Sequence, residues 1–413
     1  MKIKEASKSV KGYAKNSLRF FAFLRRAVLS ILLILMIPAF TGAEALYSPT
    51  WGFSLDLPEG YEFSGGDGEN RFSFASSIGA HFDVAVYDSQ KYSSVQESAE
   101  SVKRQLRSSG DITYFDYNGK EAALLELLIN DPQNPLVGWC FVGELSGQKA
   151  YLTALAYAPA NIENVQSFHF SAIDSIVLSN ADRYAPGPIS EFSYPRGAPQ
   201  ETTLAGGTFK AIIHEGDAEA AQDLVDREFT VLSAYIDSPL WQEAWMRFYR
   251  AIYRDSYERL SDVAFNVERS LFLEDQQITD QSELSDEHDD TDEKRLFAEK
   301  ALEWVQSFRY ERDLMGSDFV NLVSAAVEGR GDCDSRALLW ALLLQRNNIP
   351  AAIMVSKDYS HAMGLADLEG IGARFDLQET TWVVAETTAM VPLGLIGESV
   401  SDPQYWLGVI LGP

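Results

Sequence analysis

Cysteine and histidine are scarce in this chain of 413 residues. It contains two cysteines, Cys140 and Cys333, and five histidines. Two thiols cannot build a disulfide framework, and neither lies in a CxxC pair that would bind zinc. Any chemistry performed by cysteine therefore depends on a single thiol. No cofactor is implied, and no metal site is predicted.

Basic residues are also few beyond the N-terminus. The chain has 34 Lys/Arg against 60 Asp/Glu, a formal net charge of −26, and eight of the basic residues lie within residues 1–45. No basic patch follows residue 45, so the charge disfavours nucleic acid and anionic lipid surfaces as partners. The acidic surface leans toward cationic substrates instead.

The N-terminal apolar run is too short to span a bilayer. Residues 1–26 are basic, Ala27 to Phe40 form a mostly apolar run, and Ala43-Glu44-Ala45 offers small residues for cleavage. A membrane-spanning helix needs about 20 apolar residues. The pattern predicts a cleaved export signal over residues 1–45, with an uncleaved membrane anchor as the alternative. The mature protein is expected to be periplasmic or secreted.

Residues 46–180 show the pattern of an α+β domain. Ser94 and Glu97 form a capping box that starts a helix, and Gly110 is placed to end it. Apolar periodicity predicts strands near 112–117, 121–129, 137–144 and 149–158 and a helix at about 162–177. The opening YSPTWGFSLDLPEGYEF and the order of elements resemble the PsbP-like α/β fold of exported bacterial proteins.

No catalytic group is evident in this first domain. His81 and His169 are each isolated, and Cys140 lies in a strand, where a small buried hydrophobic side chain is expected. The domain is interpreted as a binding or packing module that positions a partner.

Three further segments precede the C-terminal region. Residues 181–208 are dense in Pro and Gly, which predicts a linker. Residues 209–273 are helical, with an aromatic stripe that suits helix packing better than sugar binding. Residues 274–293 are rich in Asp and Glu and poor in apolar residues, which predicts a mobile acidic loop. Although Asp286, His288, Asp290 and Asp292 alternate like calcium ligands, Thr291 stands where a calcium-loop glycine belongs.

Cys333 is the candidate nucleophile. It directly precedes Ser335 to Arg346, a run that is apolar all round and predicts a buried helix. The amide groups and dipole at a helix N-terminus favour thiolate and supply donors for an oxyanion. Asp332 and Asp334 flank the thiol and oppose thiolate formation.

A thiol nucleophile needs a base, and the base needs a group that orients it. His361 stands at the head of a predicted strand, HAMGLADL, and Glu386 follows the end of another, Thr381 to Ala385. A helix N-terminus, a strand start and a strand end can meet at one edge of an antiparallel sheet.

Three linked motifs carry a family resemblance. GDCDSRALLWALLLQRNNIPA, SHAM and WVVAETTA, in this order, resemble the transglutaminase-like superfamily of papain-related cysteine enzymes over about residues 294–396. The resemblance implies Cys333 as nucleophile, His361 as general base and Glu386 as the orienting acid. Gln306, in WVQSFRYERD, is a candidate oxyanion donor, with a solvated polar-face glutamine as the alternative.

The sequence departs from the family pattern around the third motif. Glu386 stands where Asp is usual, and Thr387 stands where Pro is common. Met363 replaces an aromatic residue that often follows the histidine pair. A carboxylate longer by one methylene reaches the same imidazole if its strand recedes by about an angstrom.

The resemblance implies residues 294–413 as a transglutaminase-like domain and leaves three functions open. The first is a cysteine peptidase or amidase that acts through a thioester, on a peptide or protein substrate with cell-wall peptides among the candidates. The second is a cross-linking transglutaminase, and the third is a binding module whose thiol is idle. Hydrolysis is favoured because water is abundant and the sequence has no recognisable lysine-docking feature.

Overall fold

The computed structural model describes residues 46–145, 147–162, 164–207, 209–279, 290–312 and 317–412. The predicted export signal, residues 1–45, lies outside this range. Helix accounts for about 35% and strand for about 30% of the structure, which confirms the predicted mixture of helix and sheet. None of the helices within the described residues combines the length and apolarity needed to cross a membrane.

The N-terminal part is built on one antiparallel sheet of seven strands. Its elements are β1 (Leu46–Tyr47), β2 (Ser54–Leu55), β3 (Tyr61–Gly66), β4 (Arg71–Ser76), β5 (His81–Asp88), α1 (Val95–Leu106), β6 (Ile112–Tyr117), β7 (Lys120–Ile129), β8 (Leu136–Leu145), β9 (Ala150–Pro159) and α2 (Val165–Asp174). The strand order is β3-β4-β5-β9-β8-β7-β6. Successive strand residues point to opposite faces, so α1 packs on one face and α2 on the other.

The helix predicted from Ser94 begins as expected and ends earlier. The Ser94 hydroxyl accepts from the Glu97 amide at 3.1 Å, but α1 stops at Leu106 because Arg107 takes a left-handed φ of 53°. Gly110 is not the helix end. It lies where an added Cβ would meet the Glu126 carbonyl oxygen at 2.1 Å, so glycine permits close approach to β7.

The predicted linker contains secondary structure of its own. Residues 181–208 hold α3 (Pro188–Ser193) and β10 (Pro199–Thr203), which pairs with β11 (Lys210–His214). Proline is tolerated at both sites because it occupies the first turn of α3 and the first residue of β10. The Asp174 carboxylate accepts from the Ile189 and Ser190 amides and ties α3 to the first domain.

The rest of the chain forms helices around a five-stranded antiparallel sheet. The elements are α4 (Asp217–Ser233), α5 (Trp241–Arg259), α6 (Ser261–Thr279), α7 (Asp290–Gln306), β12 (Arg309–Tyr310), α8 (Leu322–Glu328), β13 (Arg330–Gly331), α9 (Cys333–Arg346), β14 (Ala351–Ser356), β15 (His361–Ala366), β16 (Arg374–Leu377), β17 (Thr380–Ala385) and β18 (Leu407–Ile410). The sheet order is β16-β17-β15-β14-β18. The prediction of an acidic loop over residues 274–293 is wrong at both ends, because residues 274–279 belong to α6 and residues 290–293 to α7. Residues 280–289 lie outside the described residues.

One apolar core unites the predicted helical segment with the C-terminal region. Side chains of α5 and α6, such as Phe248 and Val263, share this core with Leu302 of α7 and Leu339 of α9. The aromatic stripe of α5 therefore serves helix packing, as predicted. Residues 209–273 are part of the same folded unit as the sheet that follows them.

The buried helix α9 packs directly on the five-stranded sheet. The predicted burial is confirmed, because every residue from Ser335 to Leu344 is buried. Gly364 of β15 makes the contact close: an added Cβ there would lie 2.4 Å from Cε3 of Trp340. The indole N–H of Trp340 donates to the Ala298 carbonyl at 3.0 Å and fixes the ring.

Gly364→Ala is therefore expected to destabilise the protein by about 1–3 kcal/mol, because a new methyl group would push α9 away from β15. The free energy of unfolding from urea titration measures the effect. Gly65→Ala is the matched control, since an added Cβ at Gly65 meets nothing within 4 Å. Equal stability of the two variants would contradict the close approach.

A buried cluster of charges joins α2 of the N-terminal part to α4 and α5. Glu228 of α4 accepts from Arg247 Nη1 at 2.7 Å, from Arg227 Nε at 3.2 Å and from the Ser171 hydroxyl at 2.7 Å. Arg227 also pairs with Asp174 of α2. Each of these charges has its partner within the protein, which offsets the cost of removing it from water.

Removing the Glu228 charge is expected to cost about 3 kcal/mol of unfolding free energy, because Glu228→Gln leaves two buried guanidinium groups with one carboxylate fewer. Chemical denaturation measures the loss. Glu201→Gln is the control. The Glu201 side chain, which pairs with Lys210, is 63% exposed, so the unfolding free energy is expected to change by less than about 1 kcal/mol. A comparable effect at both positions would show that burial does not decide the outcome.

Candidate active site

Asp332 holds Cys333 at the first position of α9. The Asp332 backbone is extended, and its carboxylate Oδ1 accepts from the Ser335 amide at 2.8 Å and from the Ser335 hydroxyl at 2.6 Å. Asp332 is therefore the N-cap of α9. The first backbone N–H groups of a helix have no acceptor within the helix, and the cap supplies one for Ser335. The sequence motif thus forms the local structure that was expected of it.

The thiol of Cys333 lies next to the start of β15. The backbone N–H of Ala362, the residue after His361, lies close enough to the sulfur to lower the pKa of the thiol. The thiol in turn donates to Asp334 Oδ2 at 3.4 Å. The structure therefore brings the predicted nucleophile to the strand that carries the predicted base.

The surroundings of Cys333 favour the thiol over the thiolate. Burial raises the pKa of Cys333, and the charges of Asp334 and Asp332 raise it further. The Ala362 amide opposes this shift but does not overcome it. Burial also raises the pKa of Asp332, and the charge of Asp334 adds to that shift. Burial, with the flanking aspartates, thus outweighs the helix N-terminus and leaves the pKa of Cys333 above its usual value.

His361 and Glu386 form a hydrogen-bonded pair, with His361 Nε2 lying 2.8 Å from Glu386 Oε2. Ala385, the last residue of β17, pairs with Gly364 of β15, so the longer Glu386 side chain reaches along the sheet edge to the ring. With Nε2 engaged, Nδ1 is the ring nitrogen left to accept a proton.

A second residue holds the other oxygen of Glu386. Thr388 donates to Oε1 from its amide at 2.7 Å and from its hydroxyl at 2.6 Å. Burial raises the pKa of Glu386, but the hydrogen bonds from His361 and Thr388 outweigh it and leave the pKa below its usual value. The carboxylate is therefore kept ionised and fixed in direction.

Gln306 is placed differently from both expectations. It is buried at the end of α7, so it is not a solvated polar-face residue. Its side-chain amide donates to the Glu386 carbonyl at 2.8 Å and to the Val391 carbonyl at 2.9 Å. Both N–H bonds are used, and none is left for an oxyanion. Gln306 instead positions the segment that carries Glu386.

Two residues near the thiol were missed by the sequence analysis. Tyr249 of α5 donates to Asp334 Oδ1 at 2.5 Å, and burial raises the pKa of Tyr249 well above its usual value. Arg336 of α9 is buried and donates to the Phe308 carbonyl at 2.6 Å and to the Gly331 carbonyl at 3.1 Å. An arginine within an otherwise apolar helix could have indicated that Arg336 has hydrogen-bond partners inside the protein.

The second cysteine and two of the other histidines, His81 and His169, lie in the N-terminal part. Cys140 is fully buried in β8, and burial raises its pKa to about 12, as expected of a structural thiol. His169 is buried in α2, and burial lowers its pKa to about 4. Among the described residues, no group of three His, Cys, Asp or Glu side chains is arranged to hold a metal ion.

The similarity of this chain to known proteins is found among solved structures. No model of a known protein family matches the chain, and no curated protein matches it. Among solved structures, the Ran-binding protein Mog1p of Saccharomyces cerevisiae is similar, at 10% identity and a TM-score of 0.26, over 33% of this chain and 96% of that one. A cyanobacterial PsbP of Synechocystis is similar at 13% identity and 0.26, over 34% and 95%.

A third solved structure covers more of this chain. A protein of Bacteroides thetaiotaomicron is similar at 10% identity and a TM-score of 0.25, over 52% of this chain and 78% of its own. The solved structures that are similar to the N-terminal part thus have PsbP-like and Mog1-like folds. Values this low carry no argument about function. Nothing in these comparisons shows a transglutaminase-like domain.

Replacing Asp334 is expected to make Cys333 more reactive. Asp334→Asn removes a charge that raises the thiol pKa while keeping an oxygen for Tyr249, so alkylation by iodoacetamide at pH 8 should accelerate roughly tenfold. Mass spectrometry of the labelled peptide measures the rate. Asp358→Asn, in the exposed β14–β15 turn, should leave the rate unchanged. A rate that is equal or slower in Asp334→Asn would contradict this account.

Proposed function

We propose that residues 294–413 are a transglutaminase-like domain and that the protein is an exported cysteine peptidase or amidase. One observation carries the proposal: the 2.8 Å pair of His361 and Glu386 stands at the start of β15, where the next amide, that of Ala362, lowers the pKa of the Cys333 thiol. Nucleophile, base and orienting acid occur in this arrangement in papain-related sites.

The proposed reaction begins with a protonated thiol. As the Cys333 sulfur bonds to the substrate carbonyl carbon, its proton passes to Nδ1 of His361, and Glu386 stabilises the imidazolium. The carbonyl oxygen becomes an oxyanion, and we assign its donor to the backbone N–H of Cys333 in the first turn of α9. Collapse breaks the carbon–nitrogen bond, and His361 gives its proton to the leaving amine.

Water completes the cycle. His361 removes a proton from water, the hydroxide adds to the thioester carbon, and the carbon–sulfur bond breaks to release a carboxylic acid. The departing sulfur takes the proton from His361, which restores the thiol and the neutral imidazole. The substrate class is a peptide or protein, with cell-wall peptides among the candidates. Export rests on residues 1–45 alone. No cofactor is required.

A second candidate is a binding module with an idle thiol. It is favoured by the burial of Cys333, whose exposed fraction is 4%, and by the two aspartates that raise its pKa. In this alternative the Cys–His–Glu arrangement is retained as structure. The two candidates differ in whether His361 affects the chemistry of the sulfur.

Peptide cleavage tests the enzyme proposal. The protein is incubated with a complex peptide mixture in water enriched in ¹⁸O, and products are identified by mass spectrometry. New carboxyl termini that carry ¹⁸O are expected with the native chain. Losses of roughly 10²-fold or more are expected for Cys333→Ala and His361→Ala. Cys140→Ala is the matched control with unchanged activity.

The same experiment separates the alternatives. An added primary amine that appears in the products in place of ¹⁸O would identify a cross-linking reaction. No product, together with a Cys333 alkylation curve that is the same in His361→Ala, would overturn the enzyme proposal and leave the idle binding module.

A further inference from the structure

A cavity of about 100 Å³ lies apart from the Cys333 site, between the N-terminal sheet and the turn that joins α4 to α5. Its walls include Glu59, Tyr61, Phe168 and Tyr235. Ile78, at the β4–β5 turn, also lines it and is 42% exposed. The cavity is therefore reachable from solvent.

Two buried polar atoms of this cavity have no partner. They are Oε1 of Glu59 and the hydroxyl oxygen of Tyr61. Glu59 is 9% exposed, and the Tyr235 hydroxyl donates to its backbone carbonyl at 2.6 Å, which fixes the residue. A buried polar atom without a partner is rare and costly. An ionised carboxylate accepts only, so the missing partner is a donor.

The nearby guanidinium groups do not supply that donor. Arg247 donates to the Asp56 carbonyl, to Glu228 and to the Ser171 carbonyl. Arg250 forms a bidentate salt bridge with the Asp56 carboxylate, with both distances 3.0 Å. Among the residues that line the cavity, Glu59 is the one with a formal charge. The cavity therefore presents negative charge to whatever enters it.

Aromatic rings form much of the remaining wall. The rings of Phe168 and Tyr235 lie 6.2 Å apart, tilted by 53°, and Tyr61 adds a third. Aromatic faces attract cations, and they also pack against alkyl groups. A carboxylate among aromatic rings is the combination that recognises organic ammonium ions.

We propose that this cavity binds a small organic ammonium ion, whose N–H groups donate to Glu59 Oε1 and the Tyr61 hydroxyl and whose alkyl part packs against Phe168 and Tyr235. A volume equal to about three water molecules suits a short alkyl chain. The site is independent of the Cys333 chemistry.

Electrostatics supports this assignment. Burial raises the pKa of Glu59 to about 7; Arg247 and Arg250 oppose the shift, and Asp56 adds to it. The other titratable groups that face Glu59 are Tyr61 and Tyr235, whose pKa values burial raises. Glu59 is therefore mainly protonated at pH 6 and mainly ionised at pH 8. Affinity for a cation should rise about tenfold over that interval.

Propylammonium chloride and 1-propanol are the matched probes, because they share a shape and differ in charge. Calorimetric titration of the full chain at pH 8 should give a dissociation constant of roughly 1 mM for propylammonium and no measurable binding of 1-propanol. Sodium chloride at equal concentration controls for ionic strength. Glu59→Gln should abolish binding, and Tyr61→Phe should weaken it.

Titration of the native chain decides the outcome even if a variant fails to fold. Absence of heat with propylammonium, or equal binding of 1-propanol, would overturn the proposal and identify the cavity as a site for water. Binding that is unchanged in folded Glu59→Gln, or that does not depend on pH between 6 and 8, would also overturn it.

Discussion

The contact between α9 and the five-stranded sheet determines where the candidate site lies. Gly364 has no side chain, so the ring of Trp340 can rest on the β15 backbone. That approach brings the N-terminus of α9 to the strand start, where the Ala362 amide lowers the pKa of the Cys333 thiol. The position of Cys333 relative to β15 depends on this close contact, whereas the His361–Glu386 pair depends on the pairing of β15 with β17.

The sequence predicted the elements that carry the candidate residues. The structure has a helix start at Cys333, a strand start at His361 and a strand end directly before Glu386, as expected. Strands 112–117, 121–129, 137–144 and 149–158 were predicted to within a residue or so, because alternation of apolar residues reports directly on a sheet.

What the sequence could not show depends on contacts between distant segments. Tyr249 and Asp334 are 85 positions apart, and Gln306 meets the carbonyl groups beyond β17 across 80 and 85 positions. No local pattern encodes such pairs. The direction of the pKa shift of Cys333 could not be predicted for a similar reason. The helix N-terminus lowers the pKa and the flanking charges raise it, and the burial that decides between them is a tertiary property.

Helix α5 is anchored on two sides. Arg247 extends from it into the charge cluster beneath the N-terminal sheet, whereas Tyr249, two residues on and so on another face, braces the aspartate next to Cys333. A substitution that displaces α5 would therefore disturb both sets of contacts. The N-terminal part and the surroundings of the sulfur thus share one supporting helix, although they share no residue.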